Sequence, residues 1–296
     1  MNQTTIAKSV QGVGIGLHKG EPINLTLEPL DADLGIVFYR KDLDLTIKAD
    51  TNSVINTQMA TVIGDTNGNY ISTIEHLLSA ISSYGIDNIR IVLDANEVPV
   101  MDGSAIGFCM MLDEAGINFL DATKKAIVIK NRVEVREGNK FARVEPSNNP
   151  KFNFTIEFDN PIIGRQSYNF EFGKQNYLKE IARARTFGFL KDVQMLRAKN
   201  LALGGSLENA VILDDSKILN PEGLRFENEF VRHKILDAIG DLALMGAPLL
   251  CNYTSFAGSH HLNHLLTKAI LSDSKNYEIV KLDSKEIARE FAKVFA

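Results

Sequence analysis

Three groups of side chains in this sequence have the types and spacing to hold a metal ion or move a proton. His233, Asp237 and Asp241 recur every four residues, so on a helix they form one stripe. An imidazole and a carboxylate one turn apart can both reach one cation, and an aspartate one turn further on can orient another group there. Glu75 and His76 are adjacent. On a helix whose apolar face is Ile74, Leu78 and Ile81, His76 falls away from that face, among Ser79, Ala80 and Ser83. His260, His261 and His264 follow Phe256-Ala257-Gly258, a loop-to-helix pattern that puts His260 near a helix start. Such a cluster is either a metal tract or a polar cap.

Each group alone also fits an ordinary solvated helix face. Their company argues otherwise: the faces carry small and ligand-capable residues in place of Lys and Glu, as a face turned toward another domain would. No HExxH occurs, which removes the zincin pattern. Gly12-Val13-Gly14-Ile15-Gly16 leads into another strand and not into a helix, so it lacks the context of a dinucleotide loop and reads as a hairpin with close backbone approach.

The elements that must position these residues follow from periodicity. Residues 6–47 read as short strands and hairpins, with Ile23, Leu25 and Leu27 alternating. Ile74, Leu77, Leu78 and Ile81 predict a helix over 71–84, begun near Ser72 by the capping box Ser72-Thr73-Ile74-Glu75 and stopped by Gly85. A strand at 88–93, a turn at 99–103 and a helix at 104–115 ended by Gly116 complete a first domain, 1–121. Polar residues 122–125 read as a linker. The second domain, 126–296, repeats the order. It has a hairpin over 127–144 turning at Gly138-Asn139, an alternating strand Phe152, Phe154, Ile156, Phe158, a strand at 168–172, then helices, the longest over 227–245. Residues 191–221 read as an insertion within it. Two strands-then-helices halves predict an α+β duplication.

Composition agrees. The 296 residues suffice for about two domains, and 45% apolar residues suffice to fill a core in each. A net charge of −5 without a basic run argues against nucleic acid. Two distant cysteines, Cys109 and Cys251, form no disulfide framework and no CxxC pair, as expected in a reducing cytosol. The first eight residues lack a secretory pattern, and no window reaches the ~18–20 apolar residues of a membrane span.

Five blocks then carry a family resemblance: residues 73–80 (TIEHLLSA), 99–104 (PVMDGS), 184–189 (ARTFGF), 224–242 (LRFENEFVRHKILDAIGDL) and 258–263 (GSHHLN). In this order, over nearly the whole chain, they resemble the zinc-dependent UDP-3-O-acyl-N-acetylglucosamine deacetylases of lipid A biosynthesis. The resemblance implies two α+β domains, each a sheet packed on two helices, a βαβ-like insertion in the second, and an active site between them. It implies His76, His233 and Asp237 as ligands of Zn2+, a donor set that also suits Fe2+. Glu75 would be the general base that takes a proton from metal-bound water, and His260, held by Asp241, the charge stabiliser and acid for the leaving amine. Thr186 and Lys234 would stabilise the oxyanion.

The implied substrate is UDP-3-O-(3-hydroxyacyl)-N-acetylglucosamine, with Phe158, Lys140, Phe187 and His18 as contacts. Val193, Leu196, Leu201 and Leu203 of the insertion would line an acyl passage. Ala257 departs from a basic residue in the family pattern, and His261 and His264 depart from small or amide residues. A cytoplasmic monomer of a Gram-negative bacterium is the family expectation.

Overall fold

The computed structural model describes residues 1–283. Its main frame is a pair of five-stranded sheets with one topology. The N-terminal sheet runs Val10–Ile15, Pro22–Pro29, Ile89–Leu93, Ile36–Arg40, Leu45–Lys48 from edge to edge. The C-terminal sheet runs Val133–Glu137, Lys140–Glu145, Asn252–Phe256, Lys151–Glu157, Arg165–Glu171. Each has one parallel pair, between its third and fourth strands, and antiparallel neighbours elsewhere. The duplication expected from element order is therefore present in strand order and direction.

Alternation sets which face is covered. Ile23, Leu25 and Leu27 turn inward from one strand, Ile89, Ile91 and Leu93 from its neighbour, and Phe152, Phe154 and Ile156 from the second sheet. Six α-helices occur among the described residues: α1 (Glu75–Ser83), α2 (Ile106–Ala115), α3 (Lys174–Glu180), α4 (Leu190–Ala198), α5 (Glu229–Ala243) and α6 (His260–Leu271). Helices α1 and α2 accompany the first sheet, α5 and α6 the second, and α1 packs closely on α5. Tyr177 of α3 donates its hydroxyl proton to Ser79 Oγ at 2.8 Å inside this packing. The α1–α5 contact also explains why nearly all of α1 is buried although its sequence is only one-sidedly apolar.

Several expectations need correction. Helix α1 begins at Glu75, not near Ser72, and Ile74 at its N-cap makes no side-chain cap bond. Thr73 has a left-handed φ of 59°, which no helix start accommodates, and the Ser72 amide donates to the Asn96 carbonyl. The Glu75 carboxylate is engaged elsewhere, so the capping box is not formed. Residues 122–125, expected as a linker, are not irregular. Strand Ile117–Thr123 pairs with Asn2–Ile6, a new strand begins at Lys125, and Lys124 is buried between them with its Nζ on Asp87 Oδ2 at 2.7 Å.

The hairpin at Gly138-Asn139 joins only residues 133–145, because Lys125–Ile129 pairs instead with Leu249–Leu250 and Tyr277–Lys281. Phe158 lies just past its strand, its amide donating to the Gly164 carbonyl. The insertion is a βαβ unit as expected, although it opens earlier: Phe187–Phe189, α4, then Val211–Leu213 in parallel with the first strand. Part of the expected second domain, 284–296, lies outside the described residues.

Candidate metal centre and acid–base pair

The first turn of α1 and the middle of α5 bring three donors to one point. His76 Nε2 lies 3.5 Å and His233 Nε2 3.2 Å from Asp237 Oδ1, and ligand atoms of the three residues all fall within 4.8 Å of one another. All three side chains are buried. His233 donates its Nδ1 proton to the Ala184 carbonyl at 3.0 Å, which fixes the tautomer and leaves the Nε2 lone pair facing His76 and Asp237. Burial pushes the His233 imidazole down to about 3, so it stays in the neutral, ligating form.

Asp237 Oδ2 accepts from Lys234 Nζ at 2.8 Å, while Asp237 Oδ1, fully buried, has no hydrogen-bond partner. Burial opposes its ionisation, but the positive charges of Lys234 and His260 outweigh that and hold the carboxyl well below the ordinary range. A buried, charged and unpartnered oxygen costs free energy unless something binds it. Two imidazole nitrogens and one carboxylate oxygen on a common point fit a divalent cation.

The close approach of the two helices depends on Gly240. A Cβ there would lie 2.0 Å from the Glu75 carbonyl oxygen, so any larger residue would push α1 from α5. On the other side of the site, Gly103, at φ +82°, accepts from the Thr186 amide at 2.8 Å and joins the 99–103 turn to the insertion.

Beside the triad sit a carboxylate and an imidazole on separate elements. Burial pushes the Glu75 carboxyl above its ordinary value, against the opposing pull of His260 and His76. Glu75 Oε2 accepts from the Thr61 amide at 3.1 Å, and Oε1 lies 3.8 Å from His260 Nε2. His260 opens α6, whose Ser259 caps the helix by accepting from the Leu262 amide. His260 donates its Nδ1 proton to Asp241 Oδ2 at 2.8 Å. Burial pulls this imidazole down, but the Asp241 and Glu75 carboxylates outweigh it and raise it to about 10. Asp241 also accepts from Asn263 Nδ2 at 2.8 Å and from the Thr61 hydroxyl at 2.5 Å. One of the three clustered histidines therefore joins this cluster, held by Asp241 in its protonated form. His261 instead contacts exposed Glu137 and Thr57, and His264 stands apart from the triad.

The remaining expected residues distribute unevenly. The Lys234 ammonium lies 5.6 Å from the Phe187 ring centre, and that ring lies 6.3 Å from the His233 ring. Phe158 stacks edge-on to Phe187 at 5.8 Å, so both aromatics border the site. Thr186 is half-buried, its carbonyl accepting from Val211. His18 is held at Glu97: its amide donates to that carboxylate, and Nε2 lies 4.0 Å from Oε1. Lys140 is exposed at the hairpin tip, and no contact joins it to the triad among the described residues. Ala257 adopts a left-handed φ of 47°.

Val193 and Leu196 are half-buried on α4, whereas Leu201 and Leu203 are exposed. Thr61, Asn263 and Gly240 escaped sequence reasoning. Thr61 and Asn263 act through partners distant in the chain, and Gly240 is an unremarkable helix glycine until its neighbour is known.

Comparisons with known proteins give the family. A family model described as UDP-3-O-acyl N-acetylglycosamine deacetylase matches residues 3–272. Proteins named UDP-3-O-acyl-N-acetylglucosamine deacetylase are similar to the chain over 100% of both lengths: 71% identical in Campylobacter fetus subsp. fetus, 70% in Campylobacter hominis and 67% in Campylobacter jejuni subsp. jejuni serotype O:2. With the match spanning nearly all of its length, this chain belongs to the UDP-3-O-acyl-N-acetylglucosamine deacetylase family.

Proposed function

We propose that this chain hydrolyses the N-acetyl group of UDP-3-O-(3-hydroxyacyl)-N-acetylglucosamine, releasing acetate and the free amine, the committed step of lipid A biosynthesis. The observation that carries this reading is the convergence of His76, His233 and Asp237 beside a Glu75–His260 pair. His76, His233 and Asp237 would hold the metal, zinc in this reading, with ferrous iron suited to the same donors. When bound, the ion supplies a Lewis acid that acidifies water and polarises the amide carbonyl.

The chain's own residues account for the proton movements. Glu75, raised by burial and anchored through Oε2, accepts the proton of the attacking water on Oε1. Water oxygen adds to the acetyl carbon, and the developing oxyanion is met by the Thr186 hydroxyl and the positive charge of Lys234. His260, cationic and held by Asp241, gives its Nε2 proton to the nitrogen as the C–N bond breaks. Acetate and the amine leave.

Substrate contacts belong to the same reading. Phe187 and Phe158 form an aromatic border for the nucleotide sugar, and His18 stands at the N-terminal side. Lys140 would reach the nucleotide from the hairpin. The insertion receives the acyl chain: none of the α4 side chains is buried, and Met195 (56% exposed) and Leu203 (47%) present apolar surface. We place the enzyme in the cytoplasm as a monomer. Its two cysteines are free and buried, and no described helix is long and apolar enough to cross a membrane.

The test is acetate release from this substrate by purified protein, before and after chelation, with zinc restored and Glu75→Ala alongside. Release that disappears on chelation, returns with zinc and fails in the variant is expected. Folded, metal-loaded protein that binds the UDP-lipid without releasing acetate would overturn the reading in favour of a binding module.

A further inference from the structure

Thr61 is a polar residue, 2% exposed, to which no step above gives a role. It immediately precedes strand Val62–Gly64, which pairs with Tyr70–Ile71, the strand that leads into α1. Its place is therefore fixed by the same short sheet that delivers Glu75. From there it reaches two carboxylates on different helices. Its amide donates to Glu75 Oε2 at 3.1 Å, and its hydroxyl donates to Asp241 Oδ1 at 2.5 Å.

Each carboxylate thus has one oxygen tied to Thr61 and the other turned toward His260. Asp241 Oδ2 accepts from Nδ1 at 2.8 Å, and Glu75 Oε1 lies 3.8 Å from Nε2. Terminal carboxylate torsions are broad and roughly two-fold, so nothing intrinsic to either side chain chooses which oxygen faces the imidazole. Asn263 adds a second donor on Oδ2 but none on Oδ1.

The geometry points to Thr61 as a positioning residue: a two-point clamp that sets the carboxylates flanking His260 and so the orientation in which the base and the acid face each other. The inference rests on the deacetylase reading for its kinetic consequence, though not for its geometry. Thr61 touches none of the three metal ligands, so its loss should leave metal binding intact.

Thr61→Val keeps the side-chain shape and the amide donor and removes the hydroxyl, whereas Thr61→Ser keeps both donors. The Val variant should lose about 10- to 100-fold in kcat, the range for a residue that orients a catalytic partner, with KM within about twofold of wild type. Zinc content by elemental analysis and Tm should be unchanged, and Ser should restore kcat. If the Val variant does not fold, Thr61→Ala makes the same deletion without the extra methyl groups and should show the same split.

The imidazole 1H–15N spectrum of His260 gives a readout free of substrate: its Nδ1 proton should move upfield in Val or Ala and stay in place in Ser. A kcat unchanged by loss of the hydroxyl, an equal loss in Ser, a loss tracking zinc content, or a His260 signal indifferent to the hydroxyl would each overturn the proposal. Wild-type protein that releases no acetate would instead overturn the deacetylase reading, and the His260 signal would still decide the role of Thr61.

Discussion

Helices α5 and α4 belong to the same C-terminal half and follow opposite rules. On α5, Glu229, His233, Asp237 and Asp241 are buried, and the inward-facing three are each held by a partner: His233 by Ala184, Asp237 by Lys234, Asp241 by His260, Asn263 and Thr61. On α4 no residue is buried, and apolar side chains face outward. The difference separates two tasks. The proton transfer and metal binding proposed for α5 need fixed geometry, which a buried network of hydrogen bonds supplies. The acyl chain proposed to lie along the insertion needs only apolar area, which an exposed surface helix can offer.

The strongest way to break this contrast is to loosen the frame behind α5. Glu229, 0% exposed, begins the helix and accepts from the Arg185 amide and guanidinium and from the Arg225 amide. Arg185 is 1% exposed and lies one residue before Thr186. Glu229→Ala leaves a buried guanidinium short of its main partner and should cost roughly 3–5 kcal/mol in urea unfolding. A loss under about 1 kcal/mol would mean that Glu222 and the Gly223 carbonyl suffice.

Next comes Gly240→Ala, which places a methyl against the Glu75 backbone. Overpacking of this kind should cost about 1–3 kcal/mol and weaken zinc retention in competition with a chelator. Unchanged Tm and metal affinity would show that α1 and α5 can separate without consequence.

The insertion should answer differently. Leu203→Ala, on an exposed side chain, should change stability by less than about 0.5 kcal/mol, yet raise KM for long acyl chains more than for short ones. Equal effects on all chain lengths would remove the insertion from acyl binding.

The smallest effect lies on the hairpin, away from both regions. The Arg132 hydrogen bond, with help from Arg136, lowers the Glu134 carboxyl from 4.5 to about 2. A depressed carboxyl stabilises the fold above its unfolded value and loses that contribution as pH falls from about 4.5 toward 2. Wild type should therefore exceed Glu134→Gln slightly in Tm at pH 7, and the gap should close by about pH 2. A gap that widens on acidification would reverse the sign.

The parts legible in the sequence were those with a local period. The four-residue spacing of His233, Asp237 and Asp241 and the alternation in both sheets survive folding because one element carries each pattern. The capping box failed because four residues cannot reveal that Thr73 takes a left-handed turn. The burial of Lys124 within 122–125 was hidden because a lysine in a polar run reads the same whether it is solvated or buried against Asp87. Thr61 stayed invisible because its hydroxyl partner lies 180 residues away.

The shared sheet topology also sets an order of assembly. In each sheet the third strand is the last of the five along the chain: Ile89–Leu93 in one, Asn252–Phe256 in the other. A ribosome has made the whole first sheet once it passes residue 93. The second must wait for residue 256, after α5 and its ligands have already emerged. His233 and Asp237 are thus made before the floor beneath them can close, and the candidate metal centre is a late event of synthesis that depends on contacts far apart in the chain.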